Sequence, residues 1–383
     1  MIDRHSLFFL GLWFPLVACV PGAADEPPPP LGDHDYRVEL PAHFSEHGNG
    51  GGAMPPGFDA LTDLDNQPED NRVTNEGAAL GRVLFYDVDL SSNRTIACAS
   101  CHLQERGFSD PEVLSEGFDG GRTGRHSMGL ANARFYEPGS FFWDQRAETL
   151  EEQVLMPFQD PVEMGMTLDE VIARVQEDTN YEALFEAAFG DADVDSDRIS
   201  RALAQFVRSM VSVNSPYDEG RAQVDFIAED FPNFTDEENE GKFLFYAPPP
   251  QGGLGCAHCH ISDGQVAIGP RSNGLDAETT DPGLGEVTGD PNHDGLFKAP
   301  SLRNVADRAP YMHDGRFADL DGVLEHYSSE VNFHPNLPGF WHNGQTVFQL
   351  SFTADETAAL KAFLETLSDP ELLTHERWSD PGW

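Results

Sequence analysis

The sequence predicts a mainly α chain made of two similar domains with long loops, and three observations lead there. Apolar residues recur at helical spacing, alternating strand-like patterns are scarce, and one short motif occurs twice in the same local context. In "DRISRALAQFVRSMVS", Ile199, Leu203, Phe206, Val207 and Met210 fall at intervals of three and four and form one apolar stripe. "TDEE" from Thr235 and "TADE" from Thr353 match the capping box that precedes an apolar helix. Glu76-Gly77 leads through "LFY" (Leu84 to Tyr86) into "CASCH" at 98–102, and Glu240-Gly241 leads through a second "LFY" into "CAHCH" at 256–260. The order is helix, irregular loop, Cys-x-x-Cys-His both times, as a duplicated domain would show.

Four of the five cysteines lie in these two motifs, and three chemistries use such a pair: a redox dithiol, a shared four-thiolate zinc site, or covalent haem attachment. The next residue separates them. Haem attachment uses both thiols as thioether anchors and the adjoining imidazole as the proximal iron ligand, whereas a dithiol or zinc knuckle has no need of that histidine. With 14 His in 383 residues, chance would place one after both motifs roughly once in 700 times. The reading is therefore two haem c groups, one on Cys98, Cys101 and His102, the other on Cys256, Cys259 and His260. Porphyrin would then replace much of each core, which accounts for the long loops.

The length suffices for two domains, expected at 58–213 and 214–383. With 66 Asp+Glu against 23 Lys+Arg the net charge is −43, so nucleic acid is an implausible partner and a basic protein a plausible one. "MIDRHSLFFLGLWFPLVAC" has a polar start and an apolar stretch too short to span a bilayer, so 1–18 reads as a secretory signal. "LVAC" resembles a lipoprotein box, which would leave Cys19 as a lipidated N-terminus and make that anchor the sole membrane contact. Periplasmic location follows, consistent with attachment of haem c outside the cytoplasm. The Pro- and Gly-rich acidic sequence over 19–57 reads as a flexible tether.

Five segments in order carry a family resemblance from about Asn71 to Leu367: "LGRVLFYDVDLSSNRTIACASCH", "GFSD", "FFWDQRAETLEEQVLMPFQDPVEMGM", "FKAPSLRNVADRAPYMHDGRF" and "LEHY". The chain resembles the bacterial diheme cytochrome c peroxidases and MauG-like diheme enzymes. That resemblance implies two cytochrome c-like haem domains, hydrogen peroxide as oxidant, and a small electron-donor protein, a c-type cytochrome or cupredoxin. It implies an N-terminal peroxidatic haem and a C-terminal electron-transfer haem. Glu163 would be the acid-base group that takes a proton from one peroxide oxygen and delivers it to the other. Gln153 would orient peroxide, Pro157 would form an apolar wall, and Trp143 would pass electrons between the haems. Opposite His260 the peroxidase members use methionine; here Tyr327 stands at the matching place, the MauG-like choice, with Met312 and His313 as rivals.

Two departures bear on activity. "PEVLSEGFDGGRTGR" lacks the histidine that blocks the first iron in peroxidase members, so that site should be open, although His126 follows directly and could swing in. His126 also replaces an asparagine that helps bind calcium between the haems. Backbone carbonyls at Arg308 and Pro310 remain as oxygen donors, which leaves calcium an open expectation. Gln145 takes the place of a glycine, with no consequence legible in sequence. The first expectation is thus a diheme peroxidase fed by a small redox protein. The alternatives are a MauG-like oxidase acting on a residue of another protein and a non-catalytic electron carrier.

Overall fold

The computed structural model describes residues 31–46 and 60–383. The signal 1–18, Cys19 and the expected tether apart from 31–46 lie outside the described residues. No helix among the described residues is long and apolar enough to cross a membrane.

Four helices frame the two halves. Helix α1, Asn75–Tyr86, begins at Thr74, whose hydroxyl accepts the Gly77 N–H at 3.0 Å. Helix α2, Ser196–Ser209, begins at Asp195 and buries the predicted stripe of Ile199, Leu203, Phe206 and Val207, with Met210 at its C-terminal cap. Helices α3, Asp236–Tyr246, and α4, Ala354–Glu365, open with the capping boxes read from the sequence, Thr235 with Glu238 and Thr353 with Glu356.

The duplication is visible in how these helices cross. A Cβ added at Gly81 of α1 would lie 2.0 Å from the Ala202 carbonyl oxygen of α2, and one at Gly241 of α3 would lie 1.9 Å from that of Ala359 in α4. Glycine is required at both because backbone meets backbone there. Next to each crossing the rings of Phe85 and Phe206 lie 5.3 Å apart, and those of Phe245 and Phe363 lie 5.1 Å apart. Phe85 then reaches the His102 ring at 6.4 Å and Phe245 the His260 ring at 6.5 Å. Each crossed pair thus backs one Cys-x-x-Cys-His motif.

No strand forms among the described residues; the chain closes short bridged turns instead, Leu103 to Ser109, Phe141 to Ala147, Ile261 to Val266 and Tyr311 to Phe317. A separate apolar cluster that includes Phe44, Phe135, Val211 and Ile261 seals the seam between the halves.

Two segments depart from expectation. Residues 31–46 are packed rather than tethering: Tyr36 is buried against Phe206, and buried His43 lies 3.2 Å from Asp218. Three aromatic side chains, Tyr36, His43 and Phe44, outweigh the Pro- and Gly-rich flanks in this stretch. The chain end likewise leaves the second half. Leu372 and Trp378 join the core of the first, and the Trp378 indole donates to Ser209 Oγ at 3.2 Å. The 214–383 unit therefore returns its last turns to its neighbour.

Candidate functional site

Each Cys-x-x-Cys-His motif curls into one tight turn, with the His102 N–H donating to the Cys98 carbonyl at 3.0 Å and the His260 N–H to the Cys256 carbonyl at 3.1 Å. This places two sulfurs and an imidazole on one side of the backbone. His102 Nδ1 lies 2.8 Å from the Phe108 carbonyl, an arrangement that assigns the proton to Nδ1 and leaves Nε2 free as a ligand. Phe108 holds a left-handed φ of 59° to present that carbonyl. In the second half the equivalent turn has Gln265 at φ 44°, and its side chain is gripped by Arg303 at 2.9 Å and Tyr246 at 2.7 Å. His260 Nδ1 is buried beside that turn without a hydrogen-bond partner.

The electrostatics argue against a redox dithiol. Burial pushes the thiols of Cys98 and Cys256 up to about 12 and Cys101 to about 11, whereas a reactive Cys-x-x-Cys pair needs a lowered value. A shared zinc site fails on geometry, because no three His, Cys, Asp or Glu side chains gather to hold a metal among the described residues.

In front of His102 opens a cavity of about 640 Å³ lined by Cys101, Trp143, Gln153, Pro157 and Glu163, within the roughly 300–1,000 Å³ range of cofactor sites. Gln153 ends the short helix Leu150–Gln153, which Thr149 caps, and Pro157 lies in Met156–Gln159. Glu163 sits in the turn that follows, where Asp160 Oδ1 accepts the Val162 N–H at 2.7 Å and the Glu163 N–H at 3.2 Å. Phe118 donates its N–H to the Glu163 carbonyl at 3.0 Å, which pins the turn from the other side. Burial, reinforced by the Asp160 charge and opposed by Arg146, pushes the Glu163 carboxyl up to about 7.

Trp143 stands at the seam. Its indole donates to the His126 carbonyl at 2.8 Å, and its ring meets His313 edge-on at 6.4 Å, while His313 stacks on Phe297 at 3.8 Å. His313 is thereby engaged at the seam. His126 is buried, its Nδ1 within 3.1 Å of the Glu112 carbonyl and its Nε2 within 3.2 Å of Ser109 Oγ. Both ring nitrogens are engaged, so reaching an iron would require breaking these contacts. Gln145 adopts φ 59°, and its amide donates to the Tyr136 hydroxyl.

The second half repeats this distal architecture. Tyr311–Phe317 closes as Phe141–Ala147 does, and the capped helix Leu320–Glu325 follows as Leu150–Gln153 does. Counted from Phe141 and from Tyr311, Pro157 and Tyr327 occupy the same register. Proline offers no metal donor there; tyrosine offers a phenolic oxygen. Tyr327 lies in the π-helical turn His326–Glu330, a local widening frequent at functional sites. Burial pushes its hydroxyl up to about 12, with a hydrogen bond from Asn273 opposing and the nearby thiols of Cys259 and Cys256 adding. The phenol therefore faces the second motif. Met312 remains beside it, its sulfur 3.4 Å from Asn273 Nδ2.

Sequence reading missed Lys298. It is buried, with Nζ 4.1 Å from the Tyr136 ring centroid and 4.2 Å from that of Phe141, it lines the same cavity, and burial lowers it to about 7. "FKAPSLRN" carried no signal of burial beyond the neighbouring apolar residues. Arg308 is another of the buried cations. It donates to the Ser301 carbonyl, and its charge adds to the burial that lowers the His126 pKa, against two backbone hydrogen bonds of that ring and the Asp110 charge, which raise it. The Asp110 carboxylate and the Arg308 guanidinium, opposite in charge, both act on the His126 ring, and imidazole is a poor ligand for calcium.

Comparison with known proteins follows this geometry. The family described as Di-haem cytochrome c peroxidase matches residues 75–224. The methylamine utilization protein MauG of Methylophilus methylotrophus is 32% identical over 305 residues, covering 78% of this chain and 84% of that protein. The chain belongs to the di-haem cytochrome c peroxidase family. Cytochrome c551 peroxidase of Nitrosomonas europaea is 31% identical, covering 76% of this chain and 79% of its own. A solved MauG-like protein associated with microbial copper homeostasis is 34% identical with a TM-score of 0.70, covering 86% of this chain and 97% of that one.

The two c-type haems of this family fit the residues present. Cys98, Cys101 and His102 would hold one, and Cys256, Cys259 and His260 the other. The Lys298 side chain, packed against Tyr136 and Phe141 at the cavity wall, would supply a cationic group beside a bound haem.

Proposed function

We propose that this chain reduces hydrogen peroxide to water in the cavity bounded by His102 and Glu163, drawing the two electrons from a partner protein as a MauG-like oxidase does. When bound, the haem on His102 supplies the redox-active iron at which peroxide is reduced. The carboxyl of Glu163, poised to about 7, carries the proton: near neutral pH it takes one from one peroxide oxygen and returns it to the other, so that water rather than hydroxide leaves. The Gln153 amide holds peroxide by hydrogen bonding, and the Pro157 ring keeps other donors out of that face. Trp143, bonded to the His126 carbonyl and packed on His313, lies on the electron path between the halves. Two electrons and two protons convert each peroxide into two waters.

The observation that carries the proposal is the register shared by Pro157 and Tyr327. The same fold position is non-ligating over one motif and a phenol over the other. A phenolic ligand favours the oxidised states of iron, which supports extraction of electrons from a protein side chain. The chain is proposed to act in the periplasm, with the partner sought in the copper-homeostasis setting of its solved relative. Addition of peroxide to the all-ferric holoenzyme tests this: a long-lived oxidised state is expected, and immediate decay without one would defeat it. The acidic composition, 66 acids against 23 bases, favours a second reading in which a small basic redox protein supplies the electrons. Salt-sensitive turnover with such a donor, without the long-lived state, would select it.

A further inference from the structure

The duplicated "LFY" places a tyrosine at the end of one framing helix in each half, and the two hydroxyls meet different partners. Tyr86 donates to the Trp378 carbonyl at 2.6 Å, a group too weakly basic to take a proton. Tyr246, its counterpart, lies 3.0 Å from the hydroxyl of Tyr217, and Tyr217 lies 2.6 Å from Asp263 Oδ1. The two ends of this chain fix its direction. Arg303 donates to the Gln265 carbonyl oxygen at 2.9 Å, so the Gln265 amide turns its N–H to the Tyr246 oxygen at 2.7 Å. Ionised Asp263 can only accept, which claims the Tyr217 proton. The bond between the rings therefore runs from the Tyr246 O–H to the Tyr217 oxygen.

The network is closed to water. Tyr217, Gln265 and Arg303 are fully buried, and Tyr246 and Asp263 nearly so. Two carboxylates share it, and their surroundings drive their proton affinities apart. Against its burial, Asp218 is held below the ordinary range by the Arg303 charge and by bonds from His43, Arg303 and Ser215. Asp263 is held above that range by burial, which outweighs Arg221, His43, the Tyr217 bond and Arg303. Asp218 is thus the standing counter-charge of Arg303, and Asp263 is the carboxylate able to accept a proton. Packed rings join this pair to the second motif: Tyr246 lies 5.0 Å from the Phe245 ring, which lies 6.5 Å from that of His260.

We propose that Tyr217 is a redox-active side chain that stores one oxidising equivalent of peroxide while no partner electron is at hand. The inference rests on the reading that this chain reduces peroxide, and it adds where an equivalent waits. Hydrogen peroxide is the oxidant, and two electrons with two protons from solvent make it two waters. Tyr217 supplies one of those electrons through Tyr246 and Phe245, and the haem irons supply the other. The phenolic O–H breaks and its proton crosses to Asp263 Oδ1, leaving a neutral tyrosyl radical beside a neutral acid. No new charge appears in the buried pocket, so burial does not oppose the step. Arg221 keeps Glu46 as its counter-charge. An electron from the partner later reduces the radical while Asp263 returns the proton.

The test mixes the all-ferric holoenzyme with one equivalent of hydrogen peroxide and no reductant, freezes it, and reads electron paramagnetic resonance beside peroxide consumption. An organic radical is expected, and its hyperfine splitting should collapse in protein carrying ring-deuterated tyrosine. That comparison uses the wild type alone, so it decides whether a tyrosine is oxidised whatever the stability of any variant. Tyr217→Phe, which nearly conserves volume, should cut the signal about tenfold or more, and Asp263→Asn should slow its appearance about a hundredfold. Tyr86→Phe, at the counterpart without a proton acceptor, should keep the signal. A wild type that consumes peroxide without a tyrosine radical would overturn the inference and leave the proposed function standing. So would a wild-type signal in Tyr217→Phe, or a loss in Tyr86→Phe as large as in Tyr217→Phe. Peroxide left unconsumed by the wild type would defeat both.

Discussion

Replacing Glu163 by glutamine removes one titratable proton and little volume, so its consequences can be worked from the site. With the carboxyl near 7, about half of it is charged at pH 7 and about one part in a hundred at pH 5. A step that needs the carboxylate to accept a proton should therefore fall roughly fiftyfold between those values in the wild type. The glutamine variant should lose about 10²- to 10⁴-fold in the rate of reaction with peroxide, and this acid limb should vanish. Asp160→Asn sharpens the test. The Asp160 charge helps to raise the Glu163 pKa, while its Oδ1 accepts two backbone N–H groups, a role the asparagine carbonyl can keep. The acid limb of that variant should move to lower pH with its maximum rate retained. Stopped-flow absorbance of the ferric holoenzyme mixed with peroxide across pH 5 to 8 measures all three. A glutamine variant within about threefold of the wild type, with the limb intact, would refute the assignment.

Other consequences follow from the same geometry. Because burial holds the folded-state carboxyl of Glu163 above its ordinary 4.5, the fold binds an extra proton between about pH 4.5 and 7, and the charged form costs stability above that window. Thermal melts should show the Glu163→Gln protein more stable than the wild type at pH 8, by up to about 3 kcal/mol, and equal to it at pH 4. Gly241→Ala, whose Cβ would sit 1.9 Å from the Ala359 oxygen, should lose about 1–3 kcal/mol or more in denaturant titration. Gly124→Ala, with nothing within 4 Å, should change little. Tyr327→Phe keeps the ring stacked on Trp341 but removes the phenolic oxygen; the oxidised state formed with peroxide should then decay about tenfold faster, read by absorbance. Lys298→Met should lower the potential of the N-terminal haem in a redox titration, by about 59 mV if the ammonium favours the reduced form tenfold, and Lys298→Arg should restore it.

Much of this architecture was legible because the signals were local. The two pentapeptides, the capping boxes and the 199–210 stripe each specify structure within a few residues, and all four framing helices appear where those signals stand. The apolar wall at Pro157 and the carboxyl at Glu163 were placed by resemblance, and they line one cavity with Gln153 and Trp143. What escaped depended on distant partners. Nothing near Tyr36 or Trp378 announces that each packs on a core formed far along the chain. Lys298 reads as a surface lysine until Tyr136 and Phe141 close around it. Tyr327 was placed by its position in the motif, whereas the engagement of its rival His313, stacked on Phe297, depended on a residue outside that motif.

The central claim is that one fold position leaves the first iron open through Pro157 and closes the second through Tyr327. Electron paramagnetic resonance of the resting all-ferric holoenzyme tests it directly. The account predicts one high-spin and one low-spin haem, with the low-spin signal altered in Tyr327→Phe; two low-spin haems would contradict it.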